Sequence, residues 1–437
     1  MSTTTVASVS PGLLRGPRPT DAEVVGAGQL PLTEETGTAA LPRSADTIVA
    51  GRGPRSGPAD VAPAGRVPRS GPSGITSELV TDFTRFLELE TEWNDAVDRA
   101  GVTHPFLCHE WFRTWWDCFG GGTRSLHLLI ARRDGRIVAI APLMRERTQS
   151  YGVPVRKLDL VHNDHTPRAD FVIAGPPDDA YGAIWQALHE THGEWDVLQL
   201  SRLPQDSATR PTIERLAGAA RCSTGIWQGD VSPYLTLSGT WESYLASLSA
   251  KFRSNLRNRL SRLTKVGEPR LEVLDGADAI ARGRDDAIRL EASGWKAQAG
   301  TSIQSDPAVE RFYTLLAERA TARGWLRLLF LTAGGRRIAT SYGSCYRGRL
   351  FLFKTGYDPE YATCSPFKLL TYFAIQAAYA EGLTEIDFLG DAEPWKLEWT
   401  QASRGHDWLY VFSLSRRAQL LHWMKFQMVP ELKKWRA

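Results

Sequence analysis

Every tryptophan, tyrosine, phenylalanine, lysine, histidine and cysteine of this chain lies beyond residue 76. The first 76 residues hold instead 10 of the 25 prolines and 11 of the 38 glycines. A segment with so little to bury cannot offset its chain entropy, so residues 1–76 are expected to form a disordered tail. Any core has to be built from residues 77–437. Within the tail, GRGPRSGPAD from Gly51 and GRVPRSGPSG from Gly65 nearly repeat, which reads as low complexity. No basic start followed by an apolar run marks a signal peptide, and no later stretch has the length and apolarity of a membrane span.

Charge excludes a further class. With 52 Lys+Arg against 49 Asp+Glu the net charge is only +3, so DNA is not an expected partner and any anion recognition must be local. The five cysteines contain no CxxC pair, which points to reduced thiols and a cytoplasmic location.

Periodicity divides the rest into two halves, 77–237 and 238–437. In the first, Phe83, Phe86, Leu87, Leu89 and Trp93 fall at helical spacing, and Asp134-Gly135 separates two apolar runs that read as a hairpin. A helix over 180–192 and a strand over 195–200 come next. In the second, one long helix is predicted from Trp241 to Leu263, then a helix capped by Asp306 and begun by Pro307. Strands over 326–332, 337–346 and 350–354 lead to a helix starting at Ser365-Pro366 and a short strand at 384–389. Both halves run hairpin, helix, strand, which suggests a duplication.

No GxxxxGK[ST], HExxH, GxSxG or GxGxxG signature is present. Three other units carry the chemistry. Small residues ahead of the helix at Pro366 would leave backbone amides facing a phosphate, as at other helix N-termini. The stretch from Ser243 to Gly267 contains six Lys and Arg and no acid, with Arg253 and Arg257 one turn apart as the best anion-binding pair. In DFLGDAEPWKLEW (387–399), carboxylates sit just past a buried strand, where α/β sheets place ligands and where burial could ready one as a base. His162, Asp164, His165 and Asp170 have no regular element to fix them, so they read as a substrate-lining loop and no metal is expected.

Taken together, FLCHEWFRTWW (106–116), KFRSNLRNRLSRL (251–263), LEASGWKAQAG (290–300) and the run TGYDPEY…KLEW (355–399) resemble the acyltransferase group named for cellulose biosynthesis, within the GNAT superfamily. The resemblance implies an α/β (α+β) fold of two tandem GNAT-like halves, each a mixed, mostly antiparallel sheet flanked by helices. It implies acyl-CoA as co-substrate and a polar acceptor, such as a sugar or exopolysaccharide precursor, with the thioester carbonyl polarised by amides within Ala339–Tyr346. Tyr361, Ala362, Thr363, Cys364 and Ser365 would then bind the donor, and Asp391 and Glu393 would be candidate bases. Arg253, Arg257, Trp295, Lys296 and Lys396 would line the acceptor side.

The loop departs from the superfamily pattern: it reads YATCSPF, without glycine, and Phe367 stands where relatives often carry glycine, so its ring is expected to crowd the donor. The related Fem-type peptidyltransferases imply an alternative donor, aminoacyl-tRNA, which the basic helix would suit. A non-catalytic binding protein is a third reading. The basic C-terminal stretch from Arg416 reads as a helix docked on its own domain, or as a surface for lipid or a membrane-bound synthase.

Overall fold

The computed structural model describes residues 5–7, 69–70, 74–293 and 302–429. Most of the tail expected to be disordered, together with Trp295 and Lys296, lies outside the described residues. Thr5–Ala7 is a short edge strand, paired antiparallel with Leu271–Val273.

The halves repeat one topology. In the first, Arg124–Arg133, Arg136–Ser150 and Val153–Leu160 form an antiparallel meander. Helix Pro177–Glu190 then leads to strand Val197–Pro204, parallel to the third meander strand at Lys157↔Val197 through Asp159↔Gln199. In the second, Leu326–Ala333, Arg336–Tyr346 and Arg349–Tyr357 form the meander. Helix Pro366–Ala380 leads to Glu385–Asp387, again parallel to the third strand, at Arg349↔Glu385 through Phe351↔Asp387.

The next long strand of each half crosses over. Ser223–Thr236 leaves the first half and pairs with the second half's Glu385–Asp387, while Ser403–Phe412 leaves the second and pairs with the first half's Val197–Pro204. The two exchanged strands also pair with each other, from Ser403↔Pro233 to Phe412↔Ser223. Among the described residues this makes one continuous mixed sheet of 15 strands. The division near residue 237 is therefore one of sequence order, since each half completes the sheet of the other. The core also spans both. Trp93, Trp111 and Trp115 from the first half are in one buried cluster with Phe312, Leu316 and Phe330 from the second. The aromatic FLCHEWFRTWW segment is thus a core element, its Trp111 ring 5.7 Å from that of Phe312.

The single long helix expected from Trp241 is two. Trp241–Ser247 ends where Leu248 turns extended, and Ser249 starts Ala250–Val266 by accepting the Phe252 amide at 3.2 Å. The break leaves helix carbonyls without amides, and Arg253 turns back to donate to those of Ala246 and Leu248.

Burial sets a pH limit on the fold. His127 is 3% exposed with Nε2 unpartnered, and burial, with Arg145 nearby, pushes its pKa down to about 3. Burial and then Lys354 bring His165 down to about 4. Both are neutral in the folded protein, whereas an unfolded chain takes up protons near pH 6.5. The stability they permit is complete above that pH and is lost as pH falls below it. The loss is about 1.4 kcal/mol per pH unit for each such histidine, so His127 alone removes about 3 kcal/mol by pH 4. Urea titrations between pH 7 and pH 4 are expected to show that decline, and His127→Leu is expected to flatten it. No helix among the described residues is long and apolar enough to cross a membrane.

Candidate functional site

The parallel pairing in the second half lasts three residues. Beyond Phe351 and Asp387 the strands part. At the same level the antiparallel partner is bulged, with Tyr342 opposite Lys354 and Gly343 opposite Leu352, so Phe353 is the extra residue. The resulting opening lies between residues 352–357 and the loop after Asp387. The strand over Ala339–Tyr346, expected to supply amides to a carbonyl, is paired along both edges, so the open edge belongs to its neighbour, Arg349–Tyr357. The end of helix Ala277–Glu291 floors this strand. A Cβ on Gly356 would come within 2.2 Å of the Leu290 carbonyl oxygen, and the Ser293 hydroxyl donates to the Tyr357 carbonyl at 2.6 Å.

At the far end of that strand, Tyr361, Ala362, Thr363 and Cys364 do not form an open amide cradle. Pro359–Cys364 is wound into a 3-10 helix, and the Ser365 amide donates to the Ala362 carbonyl at 2.9 Å. Ser365 is held left-handed at φ 49°, and its carbonyl takes both the Lys368 and Leu369 amides. The first helical amide, that of Phe367, has no partner among the described residues. The basic helix supplies what the loop lacks. Arg259 Nε donates to Ser365 Oγ at 2.8 Å and Arg262 to the Thr363 carbonyl at 3.4 Å, while Arg259 Nη1 is buried with no partner. Of the pair singled out in the sequence, Arg253 is engaged at the helix break and Arg257 is exposed.

The Phe367 ring packs edge-on against Trp395, in the loop after Asp387, at 4.8 Å. In the same segment Lys396, 5% exposed, donates to the carbonyls of Leu389 at 2.7 Å and Asp391 at 2.8 Å and pairs with Glu393 at 3.1 Å. Lys396 is therefore a clamp for the loop after Asp387 and is not turned toward an acceptor. Glu393 is held by that contact and by Trp395 Nε1 at 3.0 Å. Asp391 has no ion-pair partner among the described residues. Though exposed at its surface, its carboxyl is raised above the usual value by partial burial and by Asp230 facing it.

Below the opening lies a buried charge cluster. Asp387, 0% exposed, accepts from Arg168 of the first half, from Arg404 at 2.9 Å and from the Leu389 amide at 3.0 Å. That last bond fixes the turn in which Leu389 and Gly390 both take positive φ, 52° and 57°. Glu385 pairs with Arg404 at 3.3 Å and Arg349 at 3.4 Å. His406 lies 3.4 Å from Arg168 and is held below its usual pKa, chiefly by burial.

The run around His162 is pulled apart. His162 faces Asp159 at 3.4 Å, Asp164 pairs with Arg202 at 3.0 Å, and Asp170 accepts from Thr209 at 2.5 Å. No metal-type cluster occurs among the described residues. A groove of about 470 Å³ lined by Asn94, Cys108, Arg323 and Tyr346 shares no residue with the opening, and burial pushes its Cys108 thiol up to about 12.

Arg259 had a legible signal. It falls in phase with Phe252, Leu256 and Leu263, at spacings of four, three and four, so a cation in the apolar stripe is the one that reaches inward. Arg168, Arg404 and His406 carried none, because strand exchange brings them to Asp387 from distant sequence.

Residues 250–397 match a family model described as acetyltransferase (GNAT) domain. Among solved structures, FemX aligns over 76% of this chain and 98% of its own, at 11% identity and a TM-score of 0.50. The C-terminal domain of a putative lysylphosphatidylglycerol synthetase from Agrobacterium fabrum aligns over 77% and 95%, at 13% identity and a TM-score of 0.46. A tandem GNAT protein from the clavulanic acid biosynthesis pathway aligns over 77% and 98%, at 15% identity and a TM-score of 0.40. No curated protein matches. The stretch that matches the acetyltransferase (GNAT) domain model, 250–397, contains the opening and both of its walls, and the likeness to FemX is one of fold.

Proposed function

We propose that the chain transfers an acyl group from acyl-CoA to an amine or hydroxyl of a polar acceptor, a saccharide or exopolysaccharide precursor, in the cytoplasm, as a member of the acyltransferase group its motifs resemble. The observation that carries this reading is the difference between equivalent helices of the two halves. The first turn of Pro177–Glu190 holds Asp178 and Asp179, which would repel a phosphate, whereas that of Pro366–Ala380 holds no acid. The loop ahead of the second helix also meets Arg259, whose buried Nη1 has no partner among the described residues.

In this reading Arg259, Arg262 and the Phe367 amide receive the donor's phosphates, and the thioester arm lies along 352–357. Acyl-CoA supplies the activated carbonyl: the acceptor's nitrogen or oxygen bonds to that carbon, the C–S bond breaks and coenzyme A leaves as its thiolate. Asp391 takes the proton released by the acceptor, and its raised affinity for protons suits it to that step. Lys396 holds the loop that carries it, and Trp295 and Lys296 are assigned to the acceptor side.

Isothermal titration of acetyl-CoA against the full chain tests this. Arg259→Ala is expected to weaken binding by about tenfold, about 1.4 kcal/mol, and Arg262→Ala by less because its contact is longer and exposed. Absence of binding with every acyl-CoA tried would overturn the donor assignment. The exposed Lys251, Arg257 and Lys265 on the same helix favour a second reading, with aminoacyl-tRNA as donor. Salt-sensitive tRNA binding lost in Arg257→Glu would select it.

A further inference from the structure

The helix Arg416–Trp423 is apolar on two sides. Its inner side is accounted for: Ala418 and Leu421 are buried, and Phe426, in the turn beyond it, packs on Tyr410 and Phe412. The Phe426 ring fills the space over Gly225, where a Cβ would meet it at 2.4 Å. This is a helix docked on its own domain.

Among the described residues nothing covers the outer side. Leu420 and Trp423, three residues apart on one stripe, are 48% and 47% exposed, and Trp227 on the adjoining strand is 38% exposed. Leu414, just ahead of the Ser415 cap, is also exposed. A solvated helix face ordinarily carries charge at such positions.

Charge decides the occupant. From Trp408 to Pro430 the sequence has no Asp or Glu. Arg416 is exposed on the stripe of Leu420 and Trp423, Lys425 Nζ stands 3.7 Å from the Trp227 ring centre, and Arg417 pairs with Asp196 at 2.9 Å. Lys433, Lys434 and Arg436 come after them, with Trp435 among them and Glu431 the only acid. Two copies meeting through this face would set cations against cations. Exposed Trp and Leu beside Lys and Arg suit a layer with apolar depth and negative charge at its surface, which is an anionic lipid bilayer.

We propose that this face rests on an anionic membrane surface, with Leu420 and Trp423 entering the headgroup layer and Arg416 meeting lipid phosphates. The attachment is peripheral. It does not depend on the acyl-transfer reading, and its test reads no activity.

The full chain is sedimented with vesicles of phosphatidylcholine alone and with about 30% phosphatidylglycerol, at low salt and about 0.5 M salt. Binding is expected to the anionic vesicles only, and to fall roughly tenfold or more in high salt. Leu420→Ser combined with Trp423→Ser is expected to lower partitioning by about tenfold or more, with an unchanged melting curve. Should that variant misfold, Arg416→Glu serves instead and is expected to weaken binding several-fold. The proposal is overturned by absence of vesicle binding, by equal binding to both vesicle types, by undiminished binding of the surface variants, or by a concentration-dependent dimer that these variants abolish without any vesicle binding.

Discussion

Asp387→Leu is expected to lower the unfolding free energy by about 3–5 kcal/mol, the largest stability effect of any single change in the site. Asp387 is 0% exposed and Arg168 is 3% exposed, so removing the carboxylate strands a guanidinium where water cannot reach it. Arg404 would keep Glu385 as a partner at 3.3 Å, but Arg168 would be left beside His406 and His104, both of which burial keeps below their usual pKa, with no acid paired to it among the described residues. Asp387→Asn retains an acceptor for the Leu389 amide and should recover part of the loss. Urea unfolding followed by fluorescence measures both, and an unchanged midpoint for Asp387→Leu would show that the cluster is not balanced by this residue. Because Asp387 joins Arg168 of one half to the split strand of the other, the leucine variant is also expected to loosen the turn at Leu389 and Gly390 that carries the proposed base.

Asp391→Ala is expected to have the largest effect on turnover, a fall in kcat of roughly 10²–10⁴-fold with little change in KM for acyl-CoA, as for loss of a positioned general base. The wild-type rate should fall as pH drops through the Asp391 pKa. That acid limb is expected above the ordinary carboxylate range, because partial burial and Asp230 favour the protonated form. In Asp391→Ala the limb should disappear, and in Asp230→Asn it should move to lower pH. Glu393→Ala is expected to do less, since Trp395 and Lys396 already hold that carboxylate. Unchanged kcat and an unchanged limb in Asp391→Ala would remove it as the base.

The two carboxylates illustrate what sequence can and cannot tell apart. Asp391 and Glu393 are two residues apart in the same polar turn, and spacing gives them equal standing. They differ because a buried Lys396 reaches one and leaves the other facing Asp230, which lies on the exchanged strand Ser223–Thr236. Arg253 and Arg257 show the same limit. A break at Leu248 turned Arg253 into a cap for helix carbonyls, and no periodicity announces a break inside an unbroken apolar stripe.

Local order was legible wherever the signal was local. The hairpin at Asp134-Gly135, the Asp306 cap with Pro307 and the helix begun by Pro366 arise from turn chemistry and capping, which act over a few residues. The repeated hairpin, helix and strand were also readable, because burial imposes its period on each element separately, whereas Val153–Leu160, the third meander strand of the first half, was not read from the sequence. Tertiary structure alone decided the exchange of strands between halves and the charge cluster around Asp387. Each depends on groups far apart in the chain meeting inside a low-dielectric core, where a charge must find a partner, and the sequence holds the residues but not the pairing.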